Sequence, residues 1–246
     1  MLRGTSTLPN LLPKRPLLLD IKPLLIGLVI SSLFGCDSAL SQAKDWSTEP
    51  LAAVQKAAAQ GDAEAQLMLG VIYNYGWNDV PEDHQQGVEW IRRAAEQGLA
   101  AAQSELGVIY LDGIYVPKDY QQAVVLCLKA AEQGDRVAQF KLGLMYSDGK
   151  GVPQNYKHAA IWYREAAKRG VIGAQLELAL MYANGQGVVK NYPQAYAWYS
   201  VVAANGDEAN KLRGFIAKEL IANDLTPAEL SEGESLAKVY IEQSKN

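Results

Sequence analysis

Residues 134–170 read GDRVAQFKLGLMYSDGKGVPQNYKHAAIWYREAAKRG, and the spacing inside this stretch decides the fold. Ala138, Leu142 and Tyr146 follow one another every four residues, which places them on one stripe of a helix. Gly143, beside the leucine, is small enough to let a neighbouring helix approach. Gly149 supplies a left-handed helix stop, and Asp148-Gly149-Lys150-Gly151-Val152-Pro153 reads as a loop. Asn155 is a candidate cap for a second helix carrying Ala159, Trp162 and the pair Ala166-Ala167.

Outward from this copy, the pattern recurs. Gly61, Gly98, Gly134, Gly170 and Gly206 are separated by 37, 36, 36 and 36 residues. Between them run columns of alanine (65, 102, 138, 174), glutamine (66, 103, 139, 175), leucine (69, 106, 142, 178) and tyrosine (73, 110, 146, 182). The second helix repeats Trp90, Leu126, Trp162 and Trp198, with caps expected at Asp83, Asp119, Asn155 and Asn191. The first copy has one extra residue around Trp77-Asn78-Asp79, and the second has Tyr115 where Gly151 and Gly187 complete the loop. A helical hairpin cannot bury such stripes alone, so the expected fold is an all-α, right-handed solenoid in which neighbours supply one another's core. The expected units are repeats at 61–97, 98–133, 134–169 and 170–205, preceded by a capping half-repeat at 48–60 and followed by capping helices at 206–246. Thr226-Pro227-Ala228-Glu229 carries a capping-box pattern with proline at the first helical position.

The combined pattern, Gly-x3-Ala-Gln-x2-Leu-Gly-x2-Tyr-x2-Gly-x-Gly-Val and then Trp-Tyr-x2-Ala-Ala-x2-Gly, resembles the Sel-one-like repeats, relatives of the tetratricopeptide repeat with a longer inter-helix loop. The resemblance covers residues 61–206. It implies an adaptor or scaffold whose groove holds a peptide or protein surface, often in membrane-associated or envelope complexes. The cysteine-rich secreted branch of the family bridges its two helices with disulfides. This chain departs from that branch, because Cys127 stands where Tyr163 and Tyr199 stand and has no nearby partner cysteine.

The amino terminus reads as a targeting segment. Arg3, Lys14, Arg15 and Lys22 against Asp20 give residues 1–35 a charge of +3, and Pro23–Gly35 is a 13-residue apolar run. That is short of the roughly 20 residues a membrane-spanning helix needs, so it is read as a signal-peptide core. Leu33-Phe34-Gly35-Cys36 resembles the bacterial lipobox, which implies acylation of Cys36 and anchoring to a membrane through acyl chains. The alternative is cleavage near Ser41-Gln42-Ala43 and a soluble periplasmic or secreted protein. Residues 36–47 would form a tether, and Asp37 resembles the signal that retains lipoproteins in the inner membrane of enteric bacteria. The extension upstream of the apolar run also leaves an internal start open.

The whole chain carries a formal −4, so residues 36–246 carry −7, which gives a nucleic-acid partner no electrostatic footprint. No cofactor or metal is expected: His84 and His158 fall near the starts of second helices, and Gly149-Lys150-Gly151 lacks the ending of a phosphate cradle. The expected role is therefore binding of another protein or peptide rather than catalysis. By analogy with tetratricopeptide grooves, the binding line is Leu67, Val71, Val108, Phe140, Leu144, Leu176 and Leu180 on the first helices. The alternative for these residues is packing between neighbouring helices. Two other functions stay open, a cell-wall or β-lactam hydrolase of the cysteine-rich relatives' type and an assembly lipoprotein for exopolysaccharide secretion.

Overall fold

The structure, a computed structural model, describes residues 45–77 and 79–244, so Cys36 and its lipobox lie outside the described residues. A short 3-10 turn (Trp46–Thr48) leads into eleven helices, and there is no strand among the described residues. They are α1 (Leu51–Ala59), α2 (Ala63–Tyr75), α3 (His84–Glu96), α4 (Ala100–Asp112), α5 (Tyr120–Glu132), α6 (Arg136–Asp148), α7 (Tyr156–Lys168), α8 (Ile172–Asn184), α9 (Tyr192–Asn205), α10 (Glu208–Ala222) and α11 (Pro227–Gln243). From α2 to α9 they form four hairpins, each packed on its neighbours in the chain, so the molecule is an all-α solenoid of helical repeats.

Local chemistry sets the helix limits. The side chains of Asp83, Asp119, Asn155 and Asn191 accept hydrogen bonds from backbone N–H groups in the first turns of α3, α5, α7 and α9. Each first helix ends on a glycine at φ between 62° and 71°, the left-handed conformation that frees the chain for the loop. Thr226 and Glu229 close a reciprocal capping box ahead of α11. Tyr115 adopts φ 66° where its counterparts Gly151 and Gly187 have 72°, so the second loop keeps the glycine geometry with a strained residue. Its ring stacks on His84 at 3.9 Å.

The core is a series of seams. Val54 and Ala58 of α1 pack with Ala65, Leu69 and Ile72 of α2. Ile91, Ala94 and Ala95 of α3 meet Ala102, Leu106 and Ile109 of α4, and the later seams follow the same plan. The small column beside the leucine explains how hairpins close. A Cβ at Gly143 would collide with the Tyr163 ring, so glycine there lets the wholly buried tyrosine of α7 lie against α6.

The glutamine column ties one repeat to the next. The Nε2 groups of Gln66, Gln103, Gln139 and Gln175 donate to the carbonyls of Ala58, Ala95, Ala131 and Ala167 at 3.0–3.3 Å, each a second hydrogen bond to a carbonyl that already accepts the N–H of the repeat glycine. In the first two copies the chain of bonds extends, Gln97 donating to Gln66 Oε1 at 2.7 Å and Gln133 to Gln103 Oε1 at 2.9 Å. Arg169 and Asn205 stand in that column further on, and there the Oε1 atoms of Gln139 and Gln175 accept no hydrogen bond.

Candidate partner-binding face

The position nine residues after each repeat glycine faces the paired second helix, as Gly143 shows against Tyr163. Helical geometry therefore turns positions 7 and 14 to the opposite side, away from the second helices. Position 7 reads Met68, Glu105, Lys141 and Glu177, and position 14 reads Tyr75, Asp112, Asp148 and Asn184. From the second copy onward this makes a charged ladder of Glu105, Asp112, Lys141, Asp148 and Glu177, whereas Met68 is wholly buried with Trp46 and Val54. Lys141 Nζ lies 3.8 Å from Asp112 Oδ2. Burial raises the Glu105 carboxyl above its ordinary range despite the nearby Lys141. Burial raises Glu177 too, and Asp148 adds to the effect. Tyr75 is pushed up to about 12, first by burial and then by Glu105. These charged residues are not among the apolar positions that the sequence pattern singles out, although the Met-Glu-Lys-Glu column is visible in it.

The apolar candidates divide. Leu67 and Val71 are 0% exposed and belong to the seam with Ile91, Ala102 and Leu106, which corrects their assignment to an open groove. Positions 6 and 10 lie on the side of the next repeat, and in the first copy α4 covers them. Phe140, Leu144 and Leu176 are half-buried against the core of the last two repeats, Phe140 with its ring 5.9 Å from that of Tyr163. Val108 is half-buried, and Leu180 is 45% exposed. The surface left for a partner thus comprises Leu180, the edges of Val108, Phe140, Leu144 and Leu176, and the carboxylates beside them.

The remaining reactive groups are engaged in packing. His158 meets the Tyr146 ring edge-on at 5.1 Å, and His84 stacks on Tyr115. Cys127 is fully buried, and burial pushes its thiol up to about 12, which leaves little thiolate at neutral pH. Among the described residues no group of three or more His, Cys, Asp or Glu side chains could hold a metal ion. Among them, too, no helix is long and apolar enough to cross a membrane.

Comparison with known proteins gives this arrangement a family. The Sel1 repeat matches residues 63–99, 100–135, 136–171 and 172–207. The crystal structure of c5321, a protective antigen of uropathogenic Escherichia coli strains displaying an SLR fold, is 33% identical with a TM-score of 0.71, covering 91% of this chain and 46% of that one. A Sel1 repeat protein from Oxalobacter formigenes is 36% identical with a TM-score of 0.58, covering 65% of this chain and 46% of that one. The chain spans about half the length of these two structures. No curated protein matches it. Sel1 repeat proteins commonly act in protein–protein interaction and are typically non-catalytic. With four consecutive matches covering more than half of its length, and with these structural relatives, the chain belongs to the Sel1 repeat family.

Proposed function

We propose that the protein is an interaction scaffold of the bacterial cell envelope that holds a segment of a protein partner across the first-helix face. The observation that carries this reading is the partly buried Glu177 carboxylate three residues before the exposed Leu180 on α8, with the buried Glu105 carboxylate two repeats earlier on the same face. No basic side chain forms an ion pair with Glu177 among the described residues, so a cation arriving from outside would offset a desolvation cost the fold already bears. A partner segment that alternates Lys or Arg with apolar residues fits both features.

On this reading the lipobox at Leu33–Cys36 anchors the scaffold to a membrane, facing the periplasm, with the inner membrane favoured by Asp37. Intact-mass measurement of the membrane-extracted protein should show an amino terminus acylated at Cys36, and Cys36→Ser should move the protein to the soluble fraction. The groove itself is tested by a photo-crosslinking residue placed at Leu180 or at Ile161, an exposed position on the second helix α7. Discrete crosslinked products at 180, absent at 161 and lost with Glu105→Lys/Glu177→Lys, are expected. Equal products at both positions would refute the assignment of the face.

A further inference from the structure

The tryptophan column is interrupted once, and the interruption opens a cavity. Trp90, Trp162 and Trp198 each pack into the seam between the preceding second helix and their own first helix. Leu126 occupies that position in the second copy. Beside it lies a surface cavity of about 370 Å³ whose walls include Arg92, Gln103, Leu106, Tyr110 and Val125.

The seam between the third and fourth copies shows the same walls filled. Arg164 donates to the Tyr182 hydroxyl at 3.2 Å, as Arg92 does to that of Tyr110 at 3.4 Å. Gln175 and Leu178 replace Gln103 and Leu106, and Trp198, only 6% exposed, occupies the space that Leu126 leaves. There α11 also packs on α9: Tyr240 stacks on Trp198 with ring centroids 4.6 Å apart, and its hydroxyl donates to Gln194 Oε1 at 2.9 Å. Ala197 and Val201 of α9 are fully buried, whereas their counterparts on α5, Val125 at 52% exposed and Lys129, face solvent. The molecule thus carries both the empty notch and its filled equivalent.

We propose that the notch at Leu126 receives an aromatic side chain from a helix of a protein partner, laid along α5 as α11 is laid along α9. Leu106, Leu126 and Val125 supply an apolar floor for the ring, and the Arg92 guanidinium borders it. Gln122, the counterpart of Gln194, stands where a tyrosine hydroxyl would reach it. This inference rests on the reading of the chain as a protein binder but uses the side of the stack opposite to the carboxylate ladder.

Indole serves as the probe, titrated into the full chain while the leucine and valine methyl groups are followed by NMR. Saturable shifts at Leu106, Val125 and Leu126 are expected, with a Kd of about 1 mM, the strength of one buried side chain. Leu126→Trp should abolish them while the protein still melts cooperatively, and Val125→Asp, at an exposed site, should weaken binding about tenfold without touching the core. Shifts that fail to appear, or that survive both substitutions, would overturn the proposal. A micromolar Kd would overturn it also, by marking a site for a free aromatic molecule. None of these results bears on crosslinking at Leu180, so the two readings can fail separately.

Discussion

Val71 and Leu180 occupy the same position of the first and last repeats, yet Val71 is wholly buried and Leu180 nearly half exposed. The difference lies in what comes next along the stack. Above Val71 lies α4 with Leu106 and Ile109. Beyond Leu180 the chain changes plan: α10 packs on α9 through Gly214, whose missing Cβ lets it approach the backbone of Tyr199 and Ala203. It leaves Leu212, Phe215, Ile216 and Leu220 exposed on its outer side. In a solenoid, a column fixes which way a residue points, and its neighbours decide whether that direction is core or surface.

The largest expected consequence is at the front. Leu67→Ala should lower the unfolding free energy by about 2–5 kcal/mol, whereas Leu180→Ala should change it by no more than about 0.5 kcal/mol. Urea titrations of the two variants check this, and equal effects would erase the distinction between the ends. Next come the glutamine ties. Gln103→Leu removes two hydrogen bonds, to the Ala95 carbonyl and from the Gln133 amide, while Gly98 N–H still donates to that carbonyl and Gln133 still donates to the Lys129 carbonyl, and should cost about 1 kcal/mol. Gln139→Leu, at a side chain whose Oε1 is already unpaired, should cost less in the same assay.

An effect of similar size and opposite sign is expected at the second loop. Tyr115→Gly removes the left-handed strain but also the stacking on His84, for a net gain of about 1 kcal/mol in thermal melts. The smallest effect is one of pH. Burial raises the Glu177 carboxyl, so the folded state holds that proton more tightly than the unfolded chain does. Its contribution therefore favours folding below the ordinary value of 4.5 and declines as pH rises above it. The Asp83 cap runs the other way: hydrogen bonds from Gln86 lower its carboxyl, so its contribution is present above 3.8 and is lost as pH falls. Urea midpoints from pH 4 to 7 should show Glu177→Gln gaining stability over wild type as pH rises, and parallel curves would contradict the burial of that carboxylate.

Much of the fold was legible because the chain states it four times. Asp83, Asp119, Asn155 and Asn191 cap helices where the columns placed them, and the glycines from 76 to 185 close the first helices. The binding face was legible only in part. Periodicity identified the stripe holding Leu67 and Leu180 but not that α4 would cover one end of it. The ladder of Glu105, Lys141 and Glu177 looks in the sequence like an ordinary solvated face, and a charge gains meaning here only once its burial is known. The glutamine column was visible as a repeat, while its role needed the carbonyl of the preceding helix in place.

The central claim is that each seam is a self-sufficient contact between neighbours, and deletion of one whole repeat tests it most directly. Removing residues 134–169 joins Gln133 to Gly170 and sets α8 against α5, with Gln175 inheriting the Ala131 carbonyl. Circular dichroism with urea unfolding should then show unchanged helicity per residue, a cooperative transition and an m-value reduced roughly in proportion to length. A chain that loses its helices on this deletion would contradict the account.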